Sequence, residues 1–216
     1  MNFMKQHAAQ IPSPPSTRDK ILDTAELLFI ERGFAATSLR AIADQAGVNL
    51  AATHYHFGSK KGLLAAVFHR RIAPINEQRL SELKRLTDSD PNPSTRKILE
   101  VFFKPFMQRD LYVAIPGIIG RIYGEPDTLT KPLLESEFSD VASAFQAALG
   151  SVLPDVSAAE LKWRVHFMVG SLVHLLRLNS PLGVPPSKSS FLEGLEHLIN
   201  FSIAGLEQAS GGAHND

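Results

Sequence analysis

The sequence predicts an all-α fold, and three observations carry that expectation. Apolar residues recur every three to four positions through each long segment. No segment alternates apolar and polar residues as a half-buried strand would, and glycines and prolines fall between the periodic runs. The chain of 216 residues, 44% hydrophobic and 20% charged, has ordinary globular composition and a length suited to one large or two small domains.

The elements follow in order. Residues 1–16 are polar and proline-containing, residues 209–216 are small and polar, and both ends are expected to be flexible tails. Ser16-Thr17-Arg18-Asp19 reads as an N-cap with an acid three residues on, after which Ile21, Leu22, Ala25, Leu28 and Phe29 mark a first helix that Gly33 stops. Thr37 or Ser38 caps a short second helix, with Leu39, Ile42, Ala43 and Ala46 on its apolar side, and Gly47 ends it in a left-handed conformation. Asn49 caps a third helix at once, so Gly47-Val48-Asn49 joins two short helices with the dimensions of a helix-turn-helix. Ser59 caps a fourth, whose face of Leu64, Val67, Phe68, Ile72, Ile75, Leu83 and Leu86 runs to about residue 87, with a kink expected at Pro74. Residues 88–94, DSDPNPS, form a break, and further helices are expected over 95–109, 111–123, 132–150, 157–179 and 188–208.

Composition excludes several chemistries. The absence of cysteine removes disulfides, cysteine zinc sites and thiol nucleophiles together, and a cytoplasmic protein is expected. No charge-free apolar run approaches the roughly 20 residues of a membrane span. Net charge is zero, which argues against coating nucleic acid by electrostatics alone. Residues 17–62 hold Arg18, Lys20, Arg32, Arg40, Lys60 and Lys61 against Asp19, Asp23, Glu26, Glu31 and Asp44, so any basic footprint is small and local.

The segment VNLAATHYHFGSKK, residues 48–61, concentrates two histidines, a tyrosine and paired lysines. A metal site through His54, His56 and His69 is disfavoured, because residues two apart on a helix point different ways and no carboxylate pair follows. Gly58 to Lys61 lacks the GxxxxGK[ST] phosphate loop and follows a helix rather than a strand. No cofactor motif is present, and none of GxSxG, HExxH or a carboxylate pair suggests an enzyme; an enzyme built on His166 or His174 is the remotest of the readings. In a helix-turn-helix the second helix enters the major groove. Small Ala51 and Ala52 then permit close approach, His54, Tyr55 and His56 can donate to bases or phosphates, and Lys60 can meet a phosphate at a helix start.

Thr37-Ser38-Leu39-Arg40-x-Ile42-Ala43-x-x-Ala46-Gly47-Val48 followed by Tyr55-His56-Phe57-x-Ser59-Lys60 resembles the DNA-binding domain of the TetR family of bacterial transcriptional regulators. The resemblance is strong over residues 17 to about 64 and weaker beyond. It implies an all-helical homodimer that binds an operator in double-stranded DNA, with a domain at 17–62, a linking helix at about 60–87, and an effector-binding and dimerisation domain at 63–208. DNA contacts carried onto this chain are Thr37, Ser38, Arg40, Asn49, Leu50, Ala51, Ala52, His54, Tyr55, His56 and Lys60. The sequence departs from the family pattern at Asn49-Leu50-Ala51-Ala52, at Thr53, where a larger apolar residue is usual, and at Gly62, where an acid often completes a capping box. Helical phase is expected to turn His54 toward the inward side with Thr53.

The resemblance also implies an effector cavity among the later helices. Phe102, Phe103, Phe106, Met107, Phe138, Phe145, Trp163 and Phe167 supply large apolar side chains for an apolar ligand, and Arg121 is the polar member of the expected lining. Tyr123, Arg164, His166 and Arg177 are further possible polar anchors, each more often a surface or interhelical partner. The NLAA and YHFGSKK variant resembles a subgroup tied to fatty-acid metabolism and stress, which points to a fatty acid or its acyl thioester. Residues 161–178 and 191–206 are apolar around more than one stripe. Leu161, Val165, Met168, Leu172 and Leu176 form one; Phe167, Gly170, Ser171, His174 and Leu178, with Gly194, Phe201 and Gly205, form a second that a symmetric dimer would cover. The leading expectation is a repressor released by its effector; the alternative is an architectural DNA-binding protein on the same fold with no small ligand.

Overall fold

The computed structural model describes residues 14–107, 119, 122–176 and 188–209, and every regular element among them is helical. The elements are α1 Thr17–Ala36, α2 Leu39–Ala46, α3 Leu50–Phe57, α4 Lys60–Ser89, α5 Thr95–Met107, α6 Asp127–Val152, α7 Ala158–Leu176 and α8 Lys188–Glu207. Among the described residues no helix is long and apolar enough to cross a membrane.

Side-chain caps set the starts of the first four helices. Ser16, Ser38, Asn49 and Ser59 accept hydrogen bonds from the backbone N–H groups of Asp19, Ala41, Ala51 and Gly62 at 2.9–3.1 Å. Between the two candidates for the second cap, Ser38 is therefore the one used. Gly47 closes α2 at φ 65°, ψ 37°, the left-handed geometry that glycine adopts without a Cβ penalty.

Three expectations need adjustment. Gly33 does take a positive φ of 81°, but the chain resumes helical geometry to Ala36, so α1 bends there instead of ending. α4 continues through the exposed Pro74 to Ser89, two residues past the expected end. α6 begins at Asp127, directly after Pro126, five residues before the expected start. Most of the expected helix at 111–123 lies outside the described residues, as do most of both tails.

The small head is α1 to α3 closed by the first turns of α4, around Ile21, Leu22, Ala25, Leu28, Ile42, Leu63, Leu64 and Val67, all buried. The body packs α4 against α5 and α6, α5 against α8, and α6 against α7, which in turn lies along α8. One continuous core runs through both, so α4 belongs to the head and to the body at once. On α7 the inner stripe is Leu161, Val165, Met168, Leu172 and Leu176, the set expected from periodicity.

Candidate nucleic-acid interface and effector cavity

Thr53 fixes the roll of α3. It is fully buried, and its hydroxyl donates to the Leu50 carbonyl at 2.7 Å, so a residue type with a polar atom fills a core position without leaving that atom unpaired. With Thr53 inward, Asn49, Leu50, Ala51, His54, Tyr55 and His56 are exposed on one end of the molecule. His54 is thus outward, contrary to the expectation of an inward phase, and its Nδ1–H donates to the Gly58 carbonyl at 3.2 Å across the C-terminal turn of α3. Tyr55 is 85% exposed and stands edge-on to His56, ring centroids 5.1 Å apart. Ser38 and Arg40 are exposed at the start of α2.

Three expected contacts are placed differently. Thr37 is 1% exposed, with its hydroxyl donating to the carbonyls of Gly33 at 2.8 Å and Leu28 at 3.2 Å, so its side chain serves the C-terminus of α1 and is not available to DNA. Lys60 sends Nζ to the carbonyls of Phe34 and Thr37, each at 2.8 Å, and over the Phe34 ring at 4.2 Å, where the cation meets the carbonyl end of α1. Ala52 is half-buried against the core, leaving Ala51 as the open small residue. Two further exposed cations that are not among the expected contacts, Lys61 beside Lys60 and Arg18 with its guanidinium 5.5 Å from the Phe57 ring centre, flank α3. Lys61 is legible as the second of a lysine pair; the Arg18 contact spans 39 residues and leaves no local signal.

Side-chain hydrogen bonds tie the head to the body. Glu26 of α1, nearly fully buried, accepts from Arg70 Nη2 and Arg71 Nε of α4 at 2.7 Å each, and Arg70 Nη1 reaches Asp23 at 2.7 Å. These partners outweigh what burial removes and raise the Arg70 pKa, even though desolvation is the largest single influence. Separately, the Phe34 N–H at the end of α1 donates to Glu125 Oε1 at 3.0 Å.

The body encloses a cavity of about 210 Å³ between α4, α5, α6 and α7. Phe102, Phe106, Phe138 and Phe145 line it as expected, with Leu99, Val141, Val165, Met168, Leu172 and Leu176. Phe103 is buried behind it in the core, and Met107 faces outward onto a separate shallow groove with Glu82 and Lys104. Trp163 and Phe167 are each 62% exposed, because positions 163 and 167 lie on the opposite side of α7 from the inner stripe. Arg121 and Arg177 lie outside the described residues. Tyr123 does line the cavity, whereas Arg164 is turned to the C-terminus of α8, donating to the carbonyls of Leu206 and Gln208 at 2.7 Å, and His166 is exposed beside Trp163.

The charged residue of the lining is Arg79, which the expected lining did not include. It is 2% exposed and occupies the core stripe of α4 between Ile75 and Leu83, a charge at an apolar phase, which was the available signal.

The outer stripe of α7 and α8 is open. Trp163, Phe167, Gly170 and His174 are exposed on α7, with Phe201 at 71% and Gly205 on α8, while Ser171 is half-buried and donates to the Phe167 carbonyl. Gly194 departs from the expected face: an added Cβ would lie 3.0 Å from Leu175, so this glycine serves the contact between α7 and α8 within one chain. Leu178 lies outside the described residues.

Comparison with known proteins bears on both halves. The HTH-type transcriptional repressor KstR2 of Mycolicibacterium smegmatis is 35% identical over 88 residues, covering 37% of this chain and 43% of that protein. The HTH-type transcriptional regulator AcrR of Shigella flexneri is 37% identical over 83 residues, covering 38% of each. The chain thus matches less than half the length of either relative. The structure of the fatty acid degradation regulator FadR from Bacillus halodurans superposes with a TM-score of 0.66 over 91% of this chain and all of that one, at 14% identity, a likeness of fold. The family described as bacterial regulatory proteins, tetR family, matches residues 21–67, and the tetracyclin repressor-like C-terminal domain matches residues 100–205. The chain belongs to the TetR family of bacterial transcriptional regulators.

Proposed function

We propose that this regulator acts as a homodimeric repressor that occupies an inverted-repeat operator and is released when an apolar effector fills the cavity of the body. The observation that carries the proposal is the course of α4. One uninterrupted helix starts at the head with Lys60 and forms a wall of the cavity at Arg79, 19 residues and about 28 Å further on. An effector that binds one body arrangement better than the other shifts the head by its differential affinity for the two. In this reading Asn49, Ala51, Tyr55 and His56 meet bases, Ser38, Arg40, His54 and Lys61 meet phosphates or base edges, and the open faces of α7 and α8 pair two copies, spacing the reading helices by about one helical turn of DNA or a multiple.

The lining supports an acyl chain as the effector, and the cavity size sets a limit on it. At about 210 Å³ the space exceeds the roughly 150 Å³ of an apolar cavity that accepts benzene but falls short of the roughly 300 Å³ where drug-sized sites begin. A long chain therefore requires α5, α6 and α7 to part. The fatty acid degradation regulator with the same fold agrees with a fatty-acid class of ligand, although at that identity the likeness speaks for the fold alone.

The test is enrichment of a random duplex pool on the purified protein at about 150 mM salt, followed by release assays with fatty acids and acyl thioesters. An inverted repeat that these ligands release is expected. Binding to DNA without sequence preference, or a specific complex indifferent to every acyl ligand, would favour the architectural reading instead.

A further inference from the structure

Arg79 is hard to account for as a structural side chain. Its Nε donates to the Phe102 carbonyl at 2.9 Å and its Nη1 to Asn76 Oδ1 at 3.3 Å, but Nη2 is buried and has no partner. Among the described residues no carboxylate pairs with it, so the charge is met only by those two neutral acceptors and by ring faces, Phe102 at 4.1 Å and Phe106 at 5.1 Å. Burial pulls its pKa down to about 9, which leaves it cationic at neutral pH. A buried charge without a counter-ion is among the most costly features a core can hold, and apolar residues of similar volume would pack there at less cost. The same guanidinium lines the cavity, and both rings that it lies over are cavity walls.

We infer that the effector is an amphipath with an ionised carboxylate, whose head is held by Arg79 while its chain lies among Phe138, Phe145 and Met168. The missing counter-ion is then the ligand's own. Guanidinium and carboxylate are both planar, with N–H donors on one facing acceptor oxygens on the other, and the pair forms where water does not compete. This rests on the cavity being the effector site, and it chooses between the two acyl classes: a free acid carries its charge at the chain end, whereas an acyl thioester carries none there. It also gives the signal a mechanical start. A carboxylate drawn to Arg79 competes with the Phe102 carbonyl and with Asn76, whose Nδ2 donates to the Glu137 carbonyl at 2.6 Å, so the contacts between α4 and both α5 and α6 are redistributed at the moment of binding.

The experiment titrates the full-length protein by calorimetry with a series of saturated fatty acids from hexanoate to palmitate and with the uncharged alcohols of equal chain length. The acid is expected to bind tighter than its alcohol by about tenfold to a hundredfold, the worth of hydrogen bonds to a charged group. Arg79→Gln is expected to erase that preference, so that the acid binds no tighter than the alcohol of equal chain length. Equal affinity of acid and alcohol for the unaltered protein overturns the inference and leaves the apolar cavity reading intact, and this comparison needs no variant to fold. A preference for the acid that survives in folded Arg79→Gln also overturns it. Failure of every acid and every alcohol to bind overturns both the inference and the effector site.

Discussion

Replacing Lys60 with methionine separates two roles that the sequence alone merges. The substitution keeps the length of the stem and removes the ammonium, which donates at 2.8 Å to the carbonyls of Phe34 and Thr37 and sits 4.2 Å from the Phe34 ring centre. Hydrogen bonds to a charged group are worth about 1.5–3 kcal/mol each, a cation at a helix C-terminus about 0.3–1, and a cation over a ring about 0.5–1. Lys60 is only half-buried, the freed carbonyls regain water and these contributions overlap, so the net loss falls below the sum of their low ends, at about 2–3 kcal/mol. For a chain of this size that lowers Tm by roughly 5–10 °C. A phosphate contact would show otherwise, because each neutralised phosphate contributes about 0.9 to the slope of log affinity against log salt. The expected outcome is a lower Tm by circular dichroism with an unchanged slope, measured by fluorescence anisotropy on a fixed duplex. A slope reduced by about one with Tm unmoved would refute the assignment and place Lys60 on DNA.

Glu26→Gln keeps shape but removes the charge between Arg70 and Arg71; urea unfolding should register a loss of about 3 kcal/mol, the low end for a broken buried pair because both arginines keep some solvent, and a loss under about 1 would show the pair to be ornamental. Gly62→Ala would by helix propensity stabilise α4 by about 1 kcal/mol, yet its Cβ would stand 2.2 Å from the Phe57 carbonyl oxygen, so Tm should fall, and a rise would disprove the close approach. Phe201→Asp puts a charge on the open face of α8 and should convert a dimer to monomer in sedimentation velocity while helix content is retained; a persisting dimer would move the interface elsewhere.

The helices and their caps were legible because the signals are local. Ser16, Ser38, Asn49 and Ser59 each bond an N–H two or three residues on, and the inner stripe of α7 repeats with the period of its own helix. What failed was what depends on a distant partner or on one residue of phase. Thr37 and Lys60 look alike as polar groups beside a reading helix, and only the bend at Gly33, which turns the end of α1 toward them, shows that both serve its carbonyls. Trp163 and Phe167 were assigned to the cavity by chemical type, but position on the helix overrides type: neither shares the side of α7 that holds Val165 and Met168. Arg79 stands at a core phase of α4 in NEQRLSELKRL, but only Phe102, arriving from α5, shows what receives it.

The links made by Glu26 and Glu125 between head and body constrain how a signal can pass. Glu26 ties α1 to α4 through two short ion pairs, so a shift of α4 along its length carries α1 and α3 with it as one body. Glu125 acts at a different point. It holds the Phe34 N–H beside the same carbonyls that Lys60 reaches, and it stands two residues after Tyr123, which lines the cavity. A ligand that displaces the segment at Tyr123 therefore pulls on the end of α1 directly, while one that engages Arg79 pulls on α4. A head attached at both points rotates only if the two are displaced unequally, since equal displacement translates it with no change of angle. In the proposed reading, a head held by the buried Glu26 at one link and the half-buried Glu125 at the other converts a difference in wall movement into a change of orientation, and that orientation decides whether two reading helices match one operator.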